Sequence, residues 1–243
     1  MIDRPERPTV LASIAYAVIA FYSFPFLLLL MRQGLFTNNT VTAVMEMVFH
    51  AVNFLVTFCI FRQYLSDTRL TFLADKAFFK TVAAGVGLMF AWALYLFFAF
   101  GIWSSHLVSI MGFSALPLAE SDLFTLSSGL IELSPFWGTL CMVLLAPFST
   151  TLLYYATAFA PMACRRSWLG YAAVALYATF PRLCNGLTFW DPVTELVIYI
   201  SQLPLHLIAC WTYQKTDSVF APIATIGAAN LITCLILNLL RLF

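Results

Sequence analysis

The sequence predicts an all-α, polytopic membrane protein of about seven transmembrane helices, and three observations carry that prediction. The 243 residues are 62% hydrophobic and only 9% charged, with a mean hydropathy of +0.92. Soluble domains carry about 25% charged residues and about half apolar ones, so this chain lacks the polar surface to cover itself in water. Its apolar residues fall into runs of about 20, the length that crosses a hydrocarbon core. Its basic residues collect in alternate connections, the asymmetry that orients membrane helices. The same figures exclude disorder, a collagen-like chain and a disulfide scaffold. Twelve Lys and Arg against eleven Asp and Glu give a net charge of +1 with no basic stripe, so nucleic acid is not an expected partner.

The runs cover roughly 9–31, 40–61, 79–103, 135–162, 167–187, 192–212 and 218–240. The first is longer than a signal-peptide core and no small-x-small cleavage site closes it, so it reads as an anchor. Between the second and third, Ser66–Lys80 mixes Asp67, Arg69, Asp75 and Lys76 with Leu70, Phe72, Leu73, Phe78 and Phe79. That mixture predicts a short amphipathic helix lying in the membrane interface. Val82–Phe100 in the third run is apolar all round, whereas barrel strands alternate. The 104–134 segment holds no Lys or Arg but carries Glu120, Asp122 and Glu132, which suits the outer face. Arg4, Arg7, Arg62, Arg69, Lys76, Lys80, Arg165, Arg166 and Lys215 make nine cations in one set of alternate connections. The other set has Arg32 and Arg241, and Arg182 falls inside the fifth run. Positive connections stay inside, so the N-terminus is expected in the cytoplasm and the C-terminus outside. With short loops and no internal repeat, 1–243 is read as one domain: N-terminal spans over 1–134, with the interfacial segment at 66–80, and a core over 135–243.

Polar residues inside apolar runs are functional candidates, because an unpaired ionisable side chain in hydrocarbon costs several kcal/mol. Glu46, His50, Asn53 and Thr57 stand at helical spacings of four, three and four, on one face. Glu195, Tyr199, Gln202 and His206 repeat the arrangement in the sixth run. One reading makes these stripes line a polar cavity, with Glu–His pairs moving protons or holding a metal ion. The other makes them interhelical hydrogen bonds that join the bundle. Arg182 is expected in a structural ion pair with Glu195 or Asp191. Cys59, Cys141, Cys184, Cys210 and Cys234 lie in or at the ends of apolar runs, and Cys164 stands beside Arg165 and Arg166. They read as small buried hydrophobes, and no CxxC, HExxH or Cys/His cluster offers a metal site. No cofactor is expected.

From Leu145 onward the sequence resembles a known family. Leu-Ala-Pro-Phe-Ser-Thr-Thr-Leu-Leu-Tyr-Tyr-Ala (Leu145–Ala156) is similar to the Ala-Pro-x-x-Glu-Glu-Leu-Leu-Phe-Arg-Gly signature of the CPBP family. These are the CAAX-processing and bacteriocin-processing intramembrane proteases, also called the ABI family. Trp168–Leu183 resembles the family's next helix, which ends Phe-x-x-x-His. Trp211–Leu231 resembles its last core motif: a Tyr, a Lys/Arg-Thr-x-Ser turn, Ala-Pro-Ile, then His-x-x-x-Asn. In that block Tyr213, Lys215-Thr216, Ser218, Ala221-Pro222-Ile223 and Asn230 fall in register. The likeness covers about 95 residues.

The resemblance implies the scaffold and denies the reaction. Family members activate water with two adjacent glutamates, an arginine four residues on, and two histidines. Here the glutamates align with Thr150 and Thr151 and the arginine with Tyr155. The first histidine aligns with Pro181, or with Cys184 in the Phe180 register. The second aligns with Ile226, and only Asn230 is kept. A general base must ionise near the working pH, which threonine does not. Threonine as nucleophile needs a neighbouring base, and none lies within a turn. An oxyanion-stabilising asparagine alone has nothing to stabilise.

The expectation is therefore an inactive protease-like bundle in a bacterial plasma membrane. It would hold a transmembrane or lipidated segment of another membrane protein, in a groove lined by Thr150, Thr151, Tyr154, Tyr155, Cys184, His206 and Asn230. An alternative is an active intramembrane endopeptidase using Glu46, His50 and His206, which requires them to meet within about 4 Å. A third reading is a transporter or channel subunit whose spans bend at Pro25, Pro147, Pro181 and Pro204.

Overall fold

The computed structural model describes residues 5–30, 39–74, 77–111, 135–177 and 192–240. Among these residues the chain is all helical: α1 (Arg7–Leu30), α2 (Asn39–Ala74), α3 (Phe78–Met111), α4 (Pro135–Ala163), α5 (167–177), α6 (Pro192–Thr216) and α7 (Phe220–Leu240). Each overlaps one of the seven apolar runs, although α2 and α3 extend beyond theirs and the fifth run is described only over 167–177. Three stretches are long and apolar enough to cross a membrane: Met47–Thr68 in α2, Phe78–Leu96 in α3, and Pro135–Ala163, the whole of α4.

The 66–80 segment differs from the expectation of a separate helix. Residues 66–74 are the last turns of α2, which runs unbroken for 36 residues. Neither Gly nor Pro interrupts Arg62–Ala74, so nothing stops helix propagation where the sequence turns polar. The Thr68 hydroxyl donates to Tyr64 O at 2.9 Å, and the Tyr64 and Tyr213 hydroxyls bond to each other, tying these turns to α6.

α4 is the central helix, packing against α1 and α2, α6 and α7. It is not uniform. Cys141–Leu145 and Leu152–Phe159 are π-helical, and each stretch runs into an Ala-Pro pair, Ala146-Pro147 and Ala160-Pro161. Proline has no N–H and its ring clashes with the carbonyl four residues back, so the preceding turn widens. The Ala146 N–H accordingly reaches back five residues to Cys141 O, and the Ala160 N–H to Tyr155 O.

α3, α6 and α7 pack together beside α4. Between helices that cross a bilayer there is little hydrophobic drive, and close approach and polar pairs carry the association. At Gly85 of α3, an added Cβ would stand 2.6 Å from Thr212 Cγ2 of α6 and 2.8 Å from Thr225 Cγ2 of α7. At Gly227 of α7 it would stand 2.6 Å from Val143 O, a backbone atom of the widened turn. α6 ends where Asp217 takes a left-handed φ of 51°. The Ser218 N–H then bonds Thr216 Oγ1 at 3.4 Å, and the Phe220 N–H bonds Ser218 Oγ at 3.3 Å. The Lys-Thr-x-Ser segment is thus the stop of one helix and the start of the next.

Candidate functional site

Three of the residues aligned with the family's reacting groups, Thr150, Thr151 and Tyr155, lie on α4, and local geometry gives them and their neighbours different fates. Ser149 Oγ donates to Leu145 O at 2.9 Å, and Thr150 Oγ1 to Ala146 O at 2.7 Å. Both hydroxyls are thus engaged by their own helix. Thr151 is fully buried, and its Oγ1 has no hydrogen-bond partner among the described residues.

One turn further along α4, the buried Tyr155 hydroxyl shares a 3.0 Å hydrogen bond with Nδ1 of His206 on α6. The Tyr154 ring stands edge-on to His206, with centroids 5.4 Å apart, and to Tyr177 of α5, at 5.5 Å. The Tyr177 hydroxyl is buried without a partner among the described residues. About two turns earlier on α6, Tyr199 donates to Ala175 O of α5 at 2.8 Å, and Gln202 is buried one turn before His206. α4, α5 and α6 therefore bring Tyr154, Tyr155, Tyr177 and His206 together, with Thr151 a turn away. All are hydrogen-bonding groups, and none is a carboxylate.

Asn230 lies elsewhere. Its Nδ2 donates to Met142 O at 2.7 Å, and Met142 precedes Thr151 by nine residues, about 13 Å along the axis. The bond has a local cause. In the π register Pro147 would donate to Met142 O, and proline cannot, so the carboxamide from α7 takes its place. Asn230 Oδ1 has no partner among the described residues. Ile226, aligned with the second histidine, is buried in the core with Leu152 and Tyr155.

The stripe on α2 faces another neighbour. Asn53 Oδ1 accepts the Tyr16 hydroxyl of α1, and Thr57 donates to Asn53 O at 2.6 Å. His50 is half-buried, with its ring edge-on to Phe49. α2 packs on α1 and α4 and bonds α6 through Tyr64, whereas His206 points to α4. Pro181, Arg182, Cys184 and Asp191, and the side chains of Glu46 and Glu195, lie outside the described residues. Cys141, Cys210 and Cys234 are buried free thiols, but Cys59 and Cys164 are exposed, contrary to the uniform burial expected of them. Cys59 lies on an open face of α2, and Cys164 on the α4–α5 turn.

Two hydroxyls of α1, absent from the residues that the sequence marks, complete these bonds. Ser13 and Tyr16, one turn apart on α1, bond Thr157 (2.7 Å) and Asn53. Their spacing of three inside an apolar run was the available signal. No family model, curated protein or solved structure matches the chain.

Proposed function

We propose that the protein is a seven-crossing bundle with a CPBP-type core that binds a transmembrane or lipidated segment of a partner and does not cut it. Its N-terminus faces the cytoplasm and its C-terminus the outside of a bacterial plasma membrane. α1, α6 and α7 have 24, 25 and 21 residues, or about 31–38 Å at 1.5 Å per residue, against a hydrocarbon core of about 30 Å.

The Tyr155–His206 bond carries the reading. His206 is the buried imidazole on which a relocated proteolytic site would draw, and one of its ring nitrogens is engaged by a phenol standing where the family has arginine. Beside it, the positions aligned with the glutamates hold hydroxyls, which cannot act as the base. The resemblance over Leu145–Ala156 and Trp211–Leu231 supports the scaffold, and the loss of its acid–base groups supports a binding role.

The test combines two measurements on the protein in lipid nanodiscs. A farnesylated reporter peptide is expected to stay intact during incubation. Affinity capture from native membranes with mass spectrometry is expected to retain a membrane protein, less so when Thr150→Trp fills the groove. Cleavage that disappears in Glu46→Gln or His206→Ala would establish the enzyme instead.

A further inference from the structure

At the end of the bundle where α4 turns into α5, the chemistry is cationic. Backbone bonds fix this turn: Cys164 N–H to Ala160 O at 3.2 Å, and Arg165 and Arg166 N–H to Met162 O at 3.0 and 3.2 Å. Both arginines are left exposed. The next residue, Ser167, accepts a 3.1 Å hydrogen bond from Nε2 of Gln214 in the last turns of α6. Gln214 Oε1 in turn accepts the Tyr171 hydroxyl at 2.8 Å. Gln214 precedes Lys215, which is also exposed. The immediate neighbours of Arg166 and Lys215 therefore touch, and three cations surround one hydrogen-bonded seam. None of the three has an acidic partner among the described residues. Beside them Trp168 is 61% exposed and Met162 41%.

We propose that Arg165, Arg166 and Lys215 bind the headgroup phosphate of an anionic phospholipid, with Trp168 at headgroup depth and Met162 against the acyl chain. Guanidinium forks match phosphate oxygens in pairs, and lysine adds a third point charge. Tryptophan favours the level where hydrocarbon meets headgroup. Cations next to exposed apolar side chains suit an amphiphile, whereas an acidic protein surface would use the cations alone. The proposal rests on membrane insertion and is independent of the family resemblance.

The test compares nanodiscs of phosphatidylcholine with and without phosphatidylglycerol, reading retained lipid by native mass spectrometry and unfolding temperature by calorimetry. The wild type is expected to retain phosphatidylglycerol preferentially and to unfold at a higher temperature with it. Arg165→Gln/Arg166→Gln/Lys215→Gln is expected to lose about 100-fold in that preference, or about fivefold per cation. Its unfolding temperature in phosphatidylcholine should be unchanged. Should the triple variant unfold early there, Arg165→Gln alone, with its fivefold loss, carries the test. Arg7→Gln/Arg62→Gln/Lys80→Gln removes three other exposed cations and should keep the preference. Equal retention of both lipids by the wild type, or equal loss in both triple variants, would overturn the site. So would inorganic phosphate reproducing the stabilisation in phosphatidylcholine discs, or polyglutamate bound there and released by the 165/166/215 substitutions.

Discussion

A buried hydroxyl with no partner forfeits its bond to water and gains nothing in return, at a cost of about 1–3 kcal/mol in protein mutational series. Thr151 is such a group, fully buried with its Oγ1 unengaged, while Thr150 next to it donates to Ala146 O. The two threonines therefore answer differently to the same near-isosteric change. Thr151→Val should leave stability unchanged or raise it by about 1 kcal/mol, because the penalty goes and the volume stays. Thr150→Val removes a satisfied bond and should lower stability by a few tenths to 1 kcal/mol. Unfolding of each variant in detergent, followed by circular dichroism, gives both signs. A marked loss in Thr151→Val would mean that its hydroxyl is engaged and that the orphan reading is wrong.

α4 shows what the sequence disclosed at the level of an element and what it withheld. Its limits were legible: the apolar run at 135–162 matches Pro135–Ala163, because a long apolar segment can satisfy its backbone polar groups within a single helix. Its interior was not. Pro147 and Pro161 announce a disturbance, but whether a helix kinks, breaks or widens depends on what neighbouring helices offer the freed carbonyl. Here Asn230 offers a carboxamide to Met142 O, and Gly227 offers room beside Val143 O. Both lie more than eighty residues away in the chain. A separation of 51 residues likewise hid the site: His206 stands out within its own helix, yet its partner Tyr155 is marked in the sequence only by alignment. The end of α2 departs from expectation for the opposite reason, since charged residues do not by themselves stop a helix. A double-mutant cycle isolates the coupling within α4. Asn230→Ala alone uncovers the Met142 carbonyl and should cost about 1–2 kcal/mol. Pro147→Ala restores an N–H able to reach that carbonyl, so in its background the cost of Asn230→Ala should fall by more than half. Equal costs in the two backgrounds would separate the asparagine from the proline.

Across the whole molecule, polar pairs join one helix to another with little repetition: Ser13–Thr157, Tyr16–Asn53, Tyr64–Tyr213, Tyr155–His206, Tyr171–Gln214 and Asn230–Met142 O. Such bonds average about 0.6 kcal/mol in membrane bundles, so they specify which helices meet more than they supply bulk stability. They leave open which way the bundle faces, and for that the exposed charges decide. Nine cations fall in one set of alternate connections along the sequence and two in the other, and on the proposed seven-span arrangement that bias would hold the basic connections in the cytoplasm. Cys164, exposed in the α4–α5 turn beside Arg165 and Arg166, is a natural reporter of the basic set. In a chain whose other cysteines are replaced by serine or alanine, a charged maleimide added to intact cells should leave Cys164 unlabelled. The same reagent should label it in inside-out vesicles. A cysteine placed at Ser127, in the acidic 104–134 segment, should show the reverse pattern. Labelling of Cys164 from outside intact cells would invert the bundle and move the cationic seam to the outer leaflet. Labelling of both positions from one side would leave an even number of crossings between them, against the single crossing by α4 that the seven-span arrangement requires.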